Sequence, residues 1–176
     1  MDILPTSLTD LDLTPLKRFS HNVIANIRAT GHMLIGSKRA FYWVKPTVWQ
    51  FLLFGLTALA SNLLFSWLVA EDATHFNPQG LISYLVWPMV MLVAGLILAK
   101  RHFNAMLIFV PAILWLCADT FMMLVQSLIQ FISDLGWLPE WTFDTISIVF
   151  VLAFVWQSLS LLWIFGNQLR WSWIER

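Results

Sequence analysis

The sequence predicts an all-α polytopic membrane protein: four transmembrane helices in an antiparallel bundle, preceded by a cytoplasmic amphipathic helix. Three observations carry that prediction. Residues 48–70, 81–99, 105–132 and 146–165 form four apolar runs, each near or above the roughly 20 helical residues that cross a hydrocarbon layer. The chain is 59% hydrophobic and 11% charged, whereas soluble domains average about 45–50% apolar and about 25% charged. All ten Lys and Arg residues fall on one side of the four-crossing pattern.

That asymmetry sets an expected orientation. Lys17, Arg18, Arg28, Lys38, Arg39 and Lys45 precede the first run, Lys100 and Arg101 separate the second and third, and Arg170 and Arg176 follow the fourth. The other two connections carry Glu71, Asp72, Asp134, Glu140 and Asp144 and no basic residue. Cytoplasmic loops are enriched in Lys and Arg, so both termini are expected in the cytoplasm. Tight loops without a eukaryotic sorting signal point to a bacterial inner membrane. The expected organisation is a cytoplasmic segment at 1–47, a transmembrane domain at 48–165 and a short tail at 166–176. The first run starts too far into the chain for a cleaved signal peptide, so the first span is expected to direct insertion.

Residues 1–13 are acidic (Asp2, Asp10, Asp12) and lack a period. Thr14-Pro15 reads as a helix start, with the proline where its missing N–H costs nothing. Leu16, Phe19, Val23, Ile27 and Leu34 then recur as one apolar stripe, while Lys17, Arg18, His21 and Arg28 project from other faces. A basic amphipathic helix ahead of a span is expected to lie in the interfacial plane, with Lys17, Arg18 and Arg28 near anionic lipid headgroups. The bland alternative packs it against the bundle or a partner protein. Gly31 and Gly36 are expected to break this helix.

Phe41, Tyr42, Trp43 and Trp49 around Lys45-Pro46 form an aromatic belt at the first span, matched by Trp137 and Trp141 on the other side and by Trp171 and Trp173 after the last span. Trp115 and Trp156 fall well inside runs, and depth does not explain them. Asn77, Pro78 and Gly80 mark a turn in the first outer loop, 71–80. The connection 100–104 is short and basic, and the second outer loop, 133–145, is longer. Pro88 and Pro111 are expected to kink their spans.

Asp119 lies deep in the third run, where an acid costs about 2.5–3.5 kcal/mol at the centre of a span. Gln126 and Gln130 follow seven and eleven residues on, within one narrow sector of the helix at about 100° per residue. Such a stripe needs partners that lipid does not provide. Gly55, Ala58, Asn62 and Ser66 share one side of the first span, and Gln157 in the fourth matches the depth of Asp119 by residue count. Asp119, Asn62 and Gln157 are therefore expected to hydrogen-bond one another. For all five polar residues the reading as packing contacts competes with the reading as a substrate or proton path, and packing is the commoner outcome.

Other chemistries lack support. No catalytic signature is present, the four histidines have no i, i+4 pair for a metal, and Cys117 alone forms neither an intramolecular disulfide nor a zinc site. No metal or cofactor is expected. Basic residues are few and lie beside the spans, which argues against nucleic acid. The expected partners are the bilayer, anionic headgroups, and a protein partner or second copy. The expected function is a non-catalytic small subunit, scaffold or anchoring module of a larger assembly. The alternative is a small oligomeric transporter or channel lined by Asp119, Gln126, Gln130, Asn62 and Gln157. A lipid-modifying enzyme has the least support.

Overall fold

A computed structural model describes residues 14–69 and 78–168, and every regular element among them is helical. The order is α1 (Thr14–Leu34), α2 (Ala40–Trp43), α3 (Val48–Val69), α4 (Pro78–His102), a 3-10 turn (Ala105–Phe109), α5 (Val110–Asp134) and α6 (Glu140–Gln168). Four stretches are long and apolar enough to cross a membrane: Val48–Leu68, Tyr84–His102, Ala105–Asp134 and Thr145–Asn167. The acidic residues 1–13, the loop 71–77, and Trp171 and Trp173 lie outside the described residues.

The third span is the centre of the molecule. Helix α5 packs against α1, α3, α4 and α6. Its contacts with α3 run in parallel: Phe54 and Ala58 join Ile113, Leu116 and Cys117 in one apolar cluster, and Asn62 meets Asp119 further along. The small Ala58 is fully buried, as expected where two helix backbones approach closely. Helix α4 runs antiparallel, with Tyr84 beside Asp119 and Gly95 against Ile108. A Cβ on Gly95 would strike the Ile108 backbone, so only glycine fits there. Helix α6 is antiparallel too, and its Gln157 donates to the Trp115 carbonyl at 3.4 Å.

Several boundaries differ from the sequence reading. Pro111 introduces no kink, because a 3-10 turn precedes it and α5 begins at Val110, placing the proline in the first turn. Pro88 does lie inside α4. Lys100, Arg101 and His102 form the last turn of α4 rather than a loop, where cations suit the negative end of the helix dipole. Helix α6 starts at Glu140, so the second outer connection is shorter than expected.

Three helices end with the same left-handed device. Gly36 (φ 68°) closes α1, with bonds from Gly36 N–H to Met33 O and Ser37 N–H to His32 O, and Gly136 (φ 71°) closes α5 in the same way. Phe103 (φ 51°) holds the equivalent position after α4, where Asn104 N–H reaches Ala99 O at 3.2 Å. Gly31 does not interrupt α1.

Helix α1 packs against α5 and α6. Ala25, Asn26, Ala29, Thr30 and Met33 are buried, and Ala29 and Met33 enter the core with Leu114, Trp115, Ala118, Leu161 and Ile164. This face is rotated by roughly a quarter turn from the predicted stripe, at about 100° per residue, and Ile27 of that stripe is exposed. The Trp156 indole donates to the Leu34 carbonyl at 2.6 Å, satisfying a carbonyl that the helix end leaves free. Helix α1 is therefore packed along α5 and α6. The side chain that fixes it there is one of the two tryptophans that depth left unexplained.

Candidate functional site

The site is built around Asp119, which is 4% exposed on α5. One carboxylate oxygen, Oδ2, accepts a hydrogen bond from Tyr84 Oη of α4 at 2.7 Å and another from Asn62 Nδ2 of α3 at 3.3 Å. Asn62 Nδ2 also donates to the Ala58 carbonyl at 3.0 Å, which pins the amide against its own helix. A single acid thus ties three spans together. Ser61, buried next to this set, donates to Ala58 O at 2.9 Å.

The expected partnership of Asp119 with Asn62 is present. Gln157 is placed differently: its hydrogen bond goes to Trp115 O, one turn from Asp119 toward the basic end of the bundle. Gln130 Nε2 bonds along its own helix to Asp134 Oδ1 at 2.8 Å, while Gln126 is half-buried further toward Asp119. The polar stripe of α5 therefore splits. Asp119 bonds sideways into α3 and α4, and Gln130 bonds lengthwise. Buried atoms without a hydrogen-bond partner among the described residues are Ser127 Oγ and Gln130 Oε1 on α5, and Gln157 Oε1 and Ser160 Oγ on α6.

Tyr84 was missed by sequence reasoning for a geometric reason. Depth was counted from the ends of each apolar run, which made Tyr84 a boundary residue and Asp119 a central one. The Ala105–Asp134 stretch has 30 residues, about ten more than a bilayer needs, so its midpoint is a poor depth marker. Asn62 of α3 and Tyr84 of α4 both reach Asp119, which sets the level of these three side chains relative to one another. That level is closer to the acidic end than the position of Asp119 in its run implies. Tyr84 is one of only two tyrosines in the chain, the signal that was available.

A second polar set was also missed. Asn26, fully buried on α1, accepts the Lys45 N–H at 2.7 Å on Oδ1 and donates through Nδ2 to Lys45 O and to Gln50 Oε1, both at 3.3 Å. Gln50 Nε2 reaches back to Phe19 O at 3.4 Å, and Thr47 Oγ1 caps α3 by accepting the Gln50 N–H at 3.1 Å. The two amides fasten α1 to the linker that opens the first span. Arg28 of α1 lies over the Trp43 ring, whereas Lys17 and Arg18 are exposed near the start of that helix.

Trp115 packs between Trp87 of α4 (centroids 5.5 Å, stacked) and Phe154 of α6 (5.2 Å, edge-on). It is a core side chain, with no ligand needed to explain it. Comparison of the chain with known protein families, curated proteins and solved structures gives no match.

Proposed function

We propose that the protein is a non-catalytic membrane module: a small subunit, scaffold or anchor that holds a larger assembly at the bacterial inner membrane, with both termini in the cytoplasm. The observation that carries this reading is the use of Asp119. The acid buried in a span accepts its hydrogen bonds from Tyr84 and Asn62, side chains of two neighbouring spans. Polar groups spent in this way specify helix packing, the commonest role of such contacts inside membranes. The cationic helix α1 then faces anionic headgroups through Lys17, Arg18 and Arg28, and a partner protein or second copy docks on the bundle.

Photo-crosslinking from the exposed positions Lys17 and Ser20 of α1 in native membranes tests the reading. A discrete adduct that survives purification is the expected result, and the absence of any protein adduct from either position counts against it.

A transporter or channel is the second reading. It is favoured by Ser127 Oγ and Gln130 Oε1, buried polar atoms without a protein partner that lie between Asp119 and the acidic end. Solute or proton flux in liposomes that disappears in Asp119→Asn selects it over the module.

A further inference from the structure

We propose that Arg28, His32 and Trp43 form a binding site for the phosphate of an anionic phospholipid. The inference deepens the reading above, since it rests on the basic end of the bundle meeting a leaflet that contains such lipids.

Arg28 and His32 are one turn apart on α1 and so project side by side. Trp43 of α2 is shared between them: the Arg28 guanidinium carbon is 4.6 Å from the ring centroid, and the His32 ring stacks nearly parallel, 17° off at 6.5 Å. The tryptophan is held in place from both sides of its short helix. The left-handed turn at Gly36 reverses the chain, and the bonds of Asn26 to Lys45 fix the residue two positions beyond Trp43.

A guanidinium over an indole face offers a planar fork of N–H donors that matches phosphate oxygens. The sequence contains no Asp or Glu from residue 14 to residue 69, so no acid on α1, α2 or α3 neutralises Arg28. Lys38, Arg39 and Lys45 are exposed on the same hairpin and add to the positive potential.

The chemistry favours a lipid over free phosphate. Ile24 and Ile27 are exposed on α1, and Ile35 is exposed just beyond its end, an apolar surface suited to an acyl chain rather than water. The Val48–Leu68 stretch begins five residues after Trp43, so the site stands at the margin of the hydrocarbon layer.

The test is native mass spectrometry of the purified full-length chain in mild detergent, titrated with phosphatidylglycerol or with phosphatidylcholine. Wild type is expected to retain one phosphatidylglycerol in preference to phosphatidylcholine. Arg28→Gln should weaken that binding at least about tenfold, the worth of one charge-assisted bond. Arg28→Lys, which keeps charge but loses the planar fork, should fall between the two, and keeps the test open should Arg28→Gln fail to fold. Arg101→Gln, in the exposed last turn of α4, should bind as wild type does. Equal binding of the two lipids, undiminished binding by both Arg28 variants, or displacement of the lipid by equimolar inorganic phosphate would each overturn the site. The assay needs no partner and no flux, so failure to capture a protein partner leaves its result unchanged, and its own failure leaves the module reading standing.

Discussion

The two halves of α5 are built differently. From Val110 to Asp119 every residue is buried, whereas from Thr120 to Asp134 only Ser127 is. Composition alone does not explain the contrast, because the second half is also mostly apolar. Neighbours do: in the first half α1 joins α3, α4 and α6 around the helix, and Phe121, Leu124, Leu128 and Phe131 in the second half remain exposed. In a bilayer, where hydrocarbon tails are as apolar as leucine, helix association depends on van der Waals fit and polar contacts rather than on leaving water. A fourth wall supplied by an element that does not itself span is therefore what gives this bundle a core. The lesson is that α1 acts as part of the fold and is more than an accessory at the surface.

The sharpest way to break the comparison is to cut one large side chain from each half. Trp115→Ala removes a ring enclosed by Trp87 and Phe154 and should lower stability by about 3–5 kcal/mol, the usual cost of a large buried aromatic. Phe121→Ala removes a side chain that is 62% exposed and should stay within about 1 kcal/mol. Thermal unfolding of the detergent-purified protein, followed by size-exclusion chromatography, measures both. Similar losses in the two variants would mean that the halves do not differ in packing.

The next largest effect concerns the wall itself. Asn26→Leu leaves the Lys45 N–H and the Gln50 amide buried without their partner, at a cost of about 1–3 kcal/mol. It should also loosen α1 specifically. A cysteine placed at the fully buried Ala29 is expected to resist maleimide in the parent and to react in the Asn26→Leu background. Equal protection in both backgrounds would show that α1 needs no clamp.

Much of this design was legible in the chain and some was not. Spans were readable because hydrocarbon imposes length and composition on any helix that crosses it, whatever its neighbours. The glycine stop of α1 at Gly36 follows from local backbone rules. Facing is a tertiary property, and there the reading was incomplete. Ile27 looked like the inward residue of α1, yet Asn26 and Ala29 are inward, because a small residue and a satisfiable amide fit against α5 better than an isoleucine does. Asn62 is legible as a partner of Asp119 because it lies at comparable depth on the small-residue side of the first span. Tyr84 is not, because the relative sliding of spans is set by contacts such as Gly95 on Ile108 rather than by the ends of each run.

A smaller effect, of opposite sign, is expected at the turn after α4. Phe103 is 97% exposed in a left-handed conformation that Gly36 and Gly136 adopt freely at the equivalent ends of α1 and α5. L-residues lose about 1–2 kcal/mol there, and Phe103→Gly trades that strain against the greater freedom of glycine in the unfolded chain. A net gain of about 0.5–1 kcal/mol should appear in the same thermal assay. A loss instead would mean that the phenyl ring is anchored in lipid strongly enough to outweigh its backbone.

The smallest expected change tests what the Asp119 node is for. Asp119→Asn keeps an oxygen that can accept from Tyr84 and Asn62, so stability should move by no more than about 0.6 kcal/mol, the average of polar contacts between membrane helices. Asp119→Leu removes the acceptor and should cost more, and combining it with Tyr84→Phe should show coupling of about 0.6 kcal/mol, up to about 1.7. That coupling is the signature of a tie between α4 and α5, and additive effects would remove the tie from the account of the fold. The same two variants separate the functional readings, because a packing tie needs an acceptor and a proton path needs an acid. If Asp119→Asn preserves stability and the pattern of crosslinked partners, the oxygen is what matters. If stability is preserved and flux is lost, the proton is, and α5 is then a conduit whose open half, lined by Ser127 and Gln130, leads to the acidic end.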